Sequence, residues 1–220
     1  MASPQIAETE ALPRLGFAVE SAEAVEYAAA PTIAFRLRVE SDKPVRSVSL
    51  NAQIRIAPTR RGYDRGEQER LVELFGTPER WHETLRGFLW ANTTLVVAPF
   101  TDTGPAELTL PSTYDLEVAA TKYFNALADG EVPLEFLFSG TVFYVGDGGA
   151  LRTARIPWDC EARFALPVGV WKQAIENSFP GAAWLRLERS VFDRLLAYKA
   201  GRTLPTWEAA LTELLDRSEG

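Results

Sequence analysis

The feature that most restricts this chain is alternation of apolar and polar residues with a period of two. From Ile33 to Val39, the side chains of Ile33, Phe35, Leu37 and Val39 share one face, with Ala34, Arg36 and Arg38 on the other. A segment so patterned is a strand with one side on a core and the other in water. The pattern resumes after Ser41-Asp42-Lys43-Pro44, where Val48, Leu50, Ala52, Ile54 and Ile56 alternate with Ser47, Ser49, Asn51, Gln53 and Arg55. Two half-buried strands joined by so short a turn are predicted to pair as a hairpin. Pro58 ends the second, because it has no amide hydrogen to give a ladder. Further strands are predicted at 88–97, at 113–119 (Tyr114, Leu116 and Val118 against Asp115 and Glu117), at 134–145 and at 158–166. The 134–145 run is apolar on both faces, as a central strand is. It is followed by Asp147-Gly148-Gly149, which has hairpin-turn chemistry. In 158–166 the residues Trp158, Cys160, Ala162, Phe164 and Leu166 share one parity, which points them together at the core. Pro99 to Pro111 reads as a loop.

Beyond Pro167 the period lengthens to that of a helix, with Trp171, Ile175 and Phe179 on one stripe. A short strand at 184–187 and two more helices follow. One helix starts near Ser190 and Asp193 and ends near Gly201; the other starts near Pro205 and carries Trp207, Leu211, Leu214 and Leu215 on one side. Strands first and helices last predict an α+β fold, a mostly antiparallel β-sheet packed against C-terminal helices. The alternative is an immunoglobulin-like β-sandwich with appended helices, since about seven strands are countable. Residues 1–13, polar and with Pro4 and Pro13, are expected to be a flexible tail. Residues 14–220 are expected to be a single α+β domain, with a charged, Gly-containing insertion at about 58–86 and a C-terminal helical part at 167–220.

Reactive side chains are scarce. One cysteine and one histidine in 220 residues exclude disulfide frameworks and Cys/His zinc sites within the chain, and neither a metal nor a cofactor is predicted. A net charge of −7 disfavours nucleic acid as a partner. No run approaches a membrane span and the first residues lack a signal-peptide pattern, so a cytoplasmic location is expected. His82 lies between Glu79 and Glu83, the parity of Cys160 points its thiol inward, and no nucleophile elbow, Walker loop or dinucleotide fingerprint occurs. No catalytic residue is assigned, and the chain is expected not to be an enzyme.

Two clusters qualify as partner surfaces. Arg60, Arg61, Tyr63 and Arg65 suit an anion or an acidic tail, although Asp64, Glu67 and Glu69 offset their charge. Trp81, Phe88, Trp90 and Phe100, with Tyr123, form an aromatic-rich set that serves another chain if exposed and the core if not.

Over residues 112–198 the chain resembles the SecB-type export chaperone. The residues are Phe136 to Phe143 (FLFSGTVF), Phe179-Pro180, Leu185 and Leu187, and Phe192-Asp193 followed by Leu195-Leu196. They match that family's order of central strand, long helix, short strand and terminal helix. Ile156-Pro157-Trp158-Asp159 and Leu204-Pro205-Thr206-Trp207-Glu208 resemble an uncharacterised actinobacterial family encoded beside uptake nickel-iron hydrogenases. Together the resemblances imply a bacterial accessory or chaperone-like protein that binds a client polypeptide, such as an immature hydrogenase subunit, through apolar surface. The residues leave two other classes open: a small-ligand or carbohydrate-binding β-sandwich module, and an enzyme centred on His82 or on a carboxylate pair such as Asp115 and Glu117. Oligomeric state stays open, a homo-oligomer included.

Overall fold

The alternating segments become strands of two antiparallel sheets in a computed structural model that describes residues 11–112, 118–146, 149–182 and 185–219. One sheet holds β1 (Leu15–Ala24), β2 (Thr32–Ser41) and β5 (Thr103–Pro111), in that spatial order. The other holds β4 (Phe88–Val97), β3 (Val45–Ile56), β6 (Glu131–Val145) and β7 (Leu151–Arg155), again in spatial order, and β8 (Glu161–Pro167) also pairs with β6. The fold is α+β with mostly antiparallel strands. The chain divides into two compact units, Met1–Ala182 and Ala183–Gly220.

The expected hairpin between β2 and β3 does not form. β2 pairs with β1 and β5, β3 pairs with β4 and β6, and the turn between them crosses from one sheet to the other. Their apolar sides meet face to face. Phe17 of β1 stacks on Phe138 of β6 with ring centroids 4.5 Å apart. Phe35 of β2 is edge-on to Phe136 at 5.3 Å, Phe164 at 6.1 Å and Trp90 at 6.3 Å, all across the gap. Each such pair contributes about 1 kcal/mol beyond the area it buries. In place of one sheet there are two, the arrangement expected as the alternative.

Strand β6 serves two partners in succession: residues 131–137 pair with β8 and residues 141–145 with β7. At the switch the Phe138 N–H donates to the Cys160 carbonyl (2.9 Å) and the Ile156 N–H to the Gly140 carbonyl (3.0 Å). Gly140 has φ +138°, and a Cβ there would lie 2.0 Å from the Ser49 carbonyl oxygen. No other residue fits. The segment 156–160 leaves the sheet at this point, so Trp158 does not continue the parity of β8 and stands 93% exposed.

Other expectations are corrected. The stretch Pro99 to Pro111 contains β5, whose Pro105 and Pro111 are tolerated because β5 is an edge strand. Of the strand expected at 113–119, residues 113–117 lie outside the described residues and Ala119 opens helix α4 (Ala119–Ala126). The Asp147-Gly148 turn and Trp184 also lie outside them, and residues 185–188 form no strand. Within 58–86 the chain makes three short α-helices, α1 (Arg65–Arg70), α2 (Val72–Phe75) and α3 (Trp81–Thr84), and 3-10 turns at Pro58–Arg60 and Pro78–Arg80. Helix α5 (Val168–Ser178) buries Trp171 and Ile175 as its stripe requires. The second unit contains α6 (Arg189–Gly201) and α7 (Trp207–Glu219), joined by the Phe192 and Trp207 rings at 5.4 Å and an Arg202–Glu213 ion pair. Among the described residues no helix is long and apolar enough to cross a membrane.

Gly140→Ala is expected to destabilise the protein by about 3 kcal/mol or more, since it combines a strained backbone with a collision against a central strand. Gly62→Ala, where nothing lies within 4 Å of the added Cβ, is expected to be near neutral. Urea unfolding of both variants checks the contrast.

Candidate functional site

Helix α4 closes one end of the two facing sheets with adjacent rings. Tyr123, fully buried, packs edge-on against Phe88 (5.8 Å), Phe75 (6.3 Å) and Tyr63 (6.4 Å). Phe124 stacks on Trp171 of α5 at 5.1 Å and lies 5.0 Å from Trp90. Trp81 is half-buried, edge-on to Tyr63 at 5.2 Å, and its indole N–H donates to the Gly76 carbonyl. Trp81, Phe88, Trp90 and Tyr123 are therefore brought together as packing, and Tyr123 has no area left to offer a partner. Phe100 lies apart, beyond the other end of β4. Its backbone exchanges two hydrogen bonds with Val45, and its ring covers Gly104, where a Cβ would come within 2.5 Å of it.

The basic cluster is also spent inside the chain. Glu67, 3% exposed, accepts from the Arg61 guanidinium (2.7 Å), the Ala128 N–H (3.0 Å) and the Asp64 N–H (3.3 Å). Arg61 donates further to the carbonyls of Asp129 (2.9 Å) and Glu131 (3.2 Å). Asp64 returns a bond to the Glu67 N–H, completing a capping box on α1. Tyr63 donates its single proton to the Pro58 carbonyl at 2.8 Å, which leaves its oxygen to accept from the Tyr123 hydroxyl at 2.7 Å. Burial holds both phenols above their ordinary pKa, so both stay protonated. Arg60 pairs with Glu135 and Arg65 with Glu69. This network fastens the 58–86 segment to the loop between α4 and β6.

Among the described residues the reactive side chains stay apart. His82 is exposed on α3, with Nδ1 3.0 Å from the Glu79 carbonyl and Nε2 3.6 Å from the Glu83 carboxylate. Cys160 is half-buried in an open cleft of about 610 Å³ between residues 12–17 and 157–161. Burial first, and then the Asp159 charge, push its thiol pKa up. Asp115 and Glu117 fall outside the described residues. Among the described residues no group of three or more His, Cys, Asp or Glu side chains is placed to hold a metal ion.

The outer face of the second sheet is a surface that no sequence motif marks. The register lines up Val96–Ser49–Thr141, then Thr94–Asn51–Ser139, then Asn92–Gln53–Leu137, across β4, β3 and β6. Ser47 and Phe143 pair at one end of these rows. None of these side chains is charged. Arg55, Glu135 and Arg163 line up at the far end, and Arg155 and Glu161 flank the side. Val96 is 75% exposed and Phe143 half-buried. The signal lay in the polar half of the alternation, where Ser47, Ser49, Asn51 and Gln53 run without a charge.

Arg61→Ala, which strands the buried Glu67 carboxylate, is expected to cost about 3 kcal/mol. Tyr123→Phe, which removes one neutral hydrogen bond, is expected to cost about 1 kcal/mol. Thermal and urea melts check both. Cys160 is expected to react with iodoacetamide at pH 8 more slowly than a free peptide cysteine. Asp159→Asn should speed that reaction, because removing the neighbouring negative charge lowers the thiol pKa.

No curated protein sequence matches the chain. Solved structures align at low similarity. The CARDB domain of a Pyrococcus furiosus protein, solved in complex with di-metal ions, aligns at TM-score 0.28 and 10% identity, over 76% of this chain and 98% of that one. A β-glucosidase from Kluyveromyces marxianus aligns at TM-score 0.28 and 9% identity, over 70% of this chain and 15% of the enzyme. β-Glucosidase 3B from Thermotoga neapolitana, in complex with α-D-glucose, aligns at TM-score 0.24 and 13% identity, over 70% and 17%. Likenesses at this level fix neither a fold family nor an activity. The family model described as "Family of unknown function (DUF6084)" matches residues 12–220, and the chain belongs to that family.

Proposed function

We propose that this protein is a non-enzymatic accessory or chaperone-like protein that holds another polypeptide against the outer face of β4, β3 and β6. The supporting observation is that the three central rows of this face, from Val96–Ser49–Thr141 to Asn92–Gln53–Leu137, carry no charge in a chain whose residues are 24% charged. Contact surfaces are depleted of charged side chains at their centres, because an ion is far costlier to strip of water than an amide or hydroxyl. Ser49, Asn51, Gln53, Asn92 and Thr94 offer donors and acceptors that a partner's backbone satisfies. Val96, Leu137 and Phe143 supply apolar area. The acidic excess elsewhere keeps such a holder in solution. This places the client surface on the sheet instead of on the aromatic set around Tyr123, which is consumed in packing. The client class implied by the sequence resemblance, an immature hydrogenase subunit, is the natural second probe after a generic one.

The test is fluorescence anisotropy with a labelled, reduced and alkylated model polypeptide. Binding to the intact protein is expected. Asn51→Lys combined with Thr141→Lys should weaken it by about tenfold or more, equivalent to about 1.4 kcal/mol, with the far-UV spectrum unchanged. An intact protein that fails to bind, or a variant that binds equally well, removes the proposal.

The hydroxyl groups of Ser47 and Thr153 on either side of Phe143 favour a second reading, a module that binds a neutral carbohydrate. Calorimetric titration with neutral oligosaccharides separates the two. Saturable sugar binding abolished by Phe143→Ala, without polypeptide binding, selects the second.

A further inference from the structure

We infer that β4 is an interface strand, and that two copies of this chain join by antiparallel pairing of β4 with its symmetry mate about a two-fold axis at Thr93. The inference does not depend on what the outer face binds. It begins from the edges of the two sheets. An edge strand presents unpaired N–H and C=O groups, and folded proteins protect such edges with charges, prolines, bulges or short strands. Here β1 carries Glu20, Glu23 and a bulge between Val19 and Ser21. β5 carries Pro105, Glu107 and Pro111. β7 has only five residues, two of them arginine, and β8 carries Glu161, Arg163 and Pro167. Among the described residues β4 ends its sheet, with ten residues, Phe-Leu-Trp-Ala-Asn-Thr-Thr-Leu-Val-Val, that include no charge and no proline. Its one irregularity is a bulge near Trp90, which leaves Ala91 to Val97 regular.

The choice of a second copy over an unrelated strand comes from self-complementarity. In antiparallel pairing, residues directly opposite each other lie on the same face, so the register must match outer residues with outer residues. β4 exposes Leu89 (49%), Asn92, Thr94 and Val96 (75%) on its outer face. A two-fold axis at Thr93 sets Asn92 opposite Thr94 of the mate and Ala91 opposite Leu95. Because Trp90 is the extra residue of the bulge, the next outer pair is Leu89 with Val96. Both exposed apolar side chains then cover each other, and an amide meets a hydroxyl between them. An axis at Thr94 sets Val96 against Asn92, and an axis at Asn92 sets Leu89 against Thr94, so either leaves apolar groups against polar ones. Pairing at Thr93 also joins the uncharged rows of the two outer faces into one.

Sedimentation velocity on the full chain tests this across a wide concentration range. The expected result is a species of twice 24.4 kDa that dissociates on dilution. Asn92→Lys with Thr94→Lys sets lysine opposite lysine at both outer pairs and should leave only monomer. Asn92→Lys with Thr94→Glu sets lysine opposite glutamate in this register alone and should restore the dimer. Should the double-lysine variant lose its fold, Thr93→Cys in a Cys160→Ser background decides: it should form an intermolecular disulfide on mild oxidation. A wild type that stays at 24.4 kDa, a dimer that survives the double-lysine change, a lysine–glutamate variant that remains monomeric, or a Thr93→Cys protein that does not cross-link overturns the inference.

Discussion

Two sheets laid face to face bury their inner sides but leave open ends and open edges, and the first unit is governed by how each opening is closed. Water entering at an end would reach Phe35, Phe136 and Phe138, which are almost fully buried. One end is closed by α4, whose neighbouring side chains point to two different tasks. Phe124 continues the aromatic core from Trp90 to Trp171, and Tyr123 continues it toward Phe75 and Phe88 in the 58–86 segment. One lateral opening is covered where β1 approaches β8 and the Cys160 thiol meets the Leu15 carbonyl at 3.9 Å. The opposite side is where β4 and β5 end their sheets, and only β5 carries prolines.

The 58–86 segment shows why buried polar groups in this protein act as fasteners. The short helices of this segment are not stable by themselves and depend on tertiary contacts, among them the buried Leu71 and Phe75. Glu67 is taken out of water only because the Arg61 guanidinium and backbone N–H groups replace the solvent it loses. The geometry is demanding, since Arg61 must also satisfy the Asp129 carbonyl in the loop before β6 and the Glu131 carbonyl at its start. Such a network adds little net free energy over an apolar substitute, yet it admits one position and penalises others. That position sets the approach of Trp81 and Tyr63 to Tyr123.

The strands β2 and β3 were legible because burial of one face imposes alternation, and β6 because a central strand is apolar on both faces. Their partners were not legible. Phe35 and Phe136 alternate identically whether a neighbour lies beside them in a sheet or across the gap, so the β2–β3 turn gave no sign that it crosses between sheets. β5 was hidden by two prolines that only an edge position permits. α4 was hidden by its eight-residue length, too short to establish a period. Trp158 misled by parity, since the alternation through Cys160 and Phe164 runs across a point where the backbone has already left the sheet. The aromatic set was visible as composition. Its burial depended on α4, and the basic cluster's internal pairing depended on a carboxylate six residues away.

The candidate face was hard to see for a different reason: it is marked by an omission. A solvated sheet face ordinarily gathers charge, which costs nothing to hydrate and discourages association. On this chain charge accumulates on the outer side of the other sheet, where Arg38 bridges Glu20 and Glu40, and on the helices. The rows through Ser49, Asn51 and Gln53 receive none, although Ser49, Asn51, Asn92, Thr94 and Ser139 are exposed. At those exposed positions core packing does not dictate the omission. What does distinguish a serine or asparagine from a lysine at such positions is the free energy of removing water from it, and that difference matters only when something else comes to lie on the sheet. The face is thus cheap to desolvate at its centre and hydrated at its margins, by Arg55, Glu135 and Arg163 at one end and Arg155 and Glu161 along the side. A boundary of that kind orients a partner while the centre supplies contact, and neither task calls for a nucleophile or a general base.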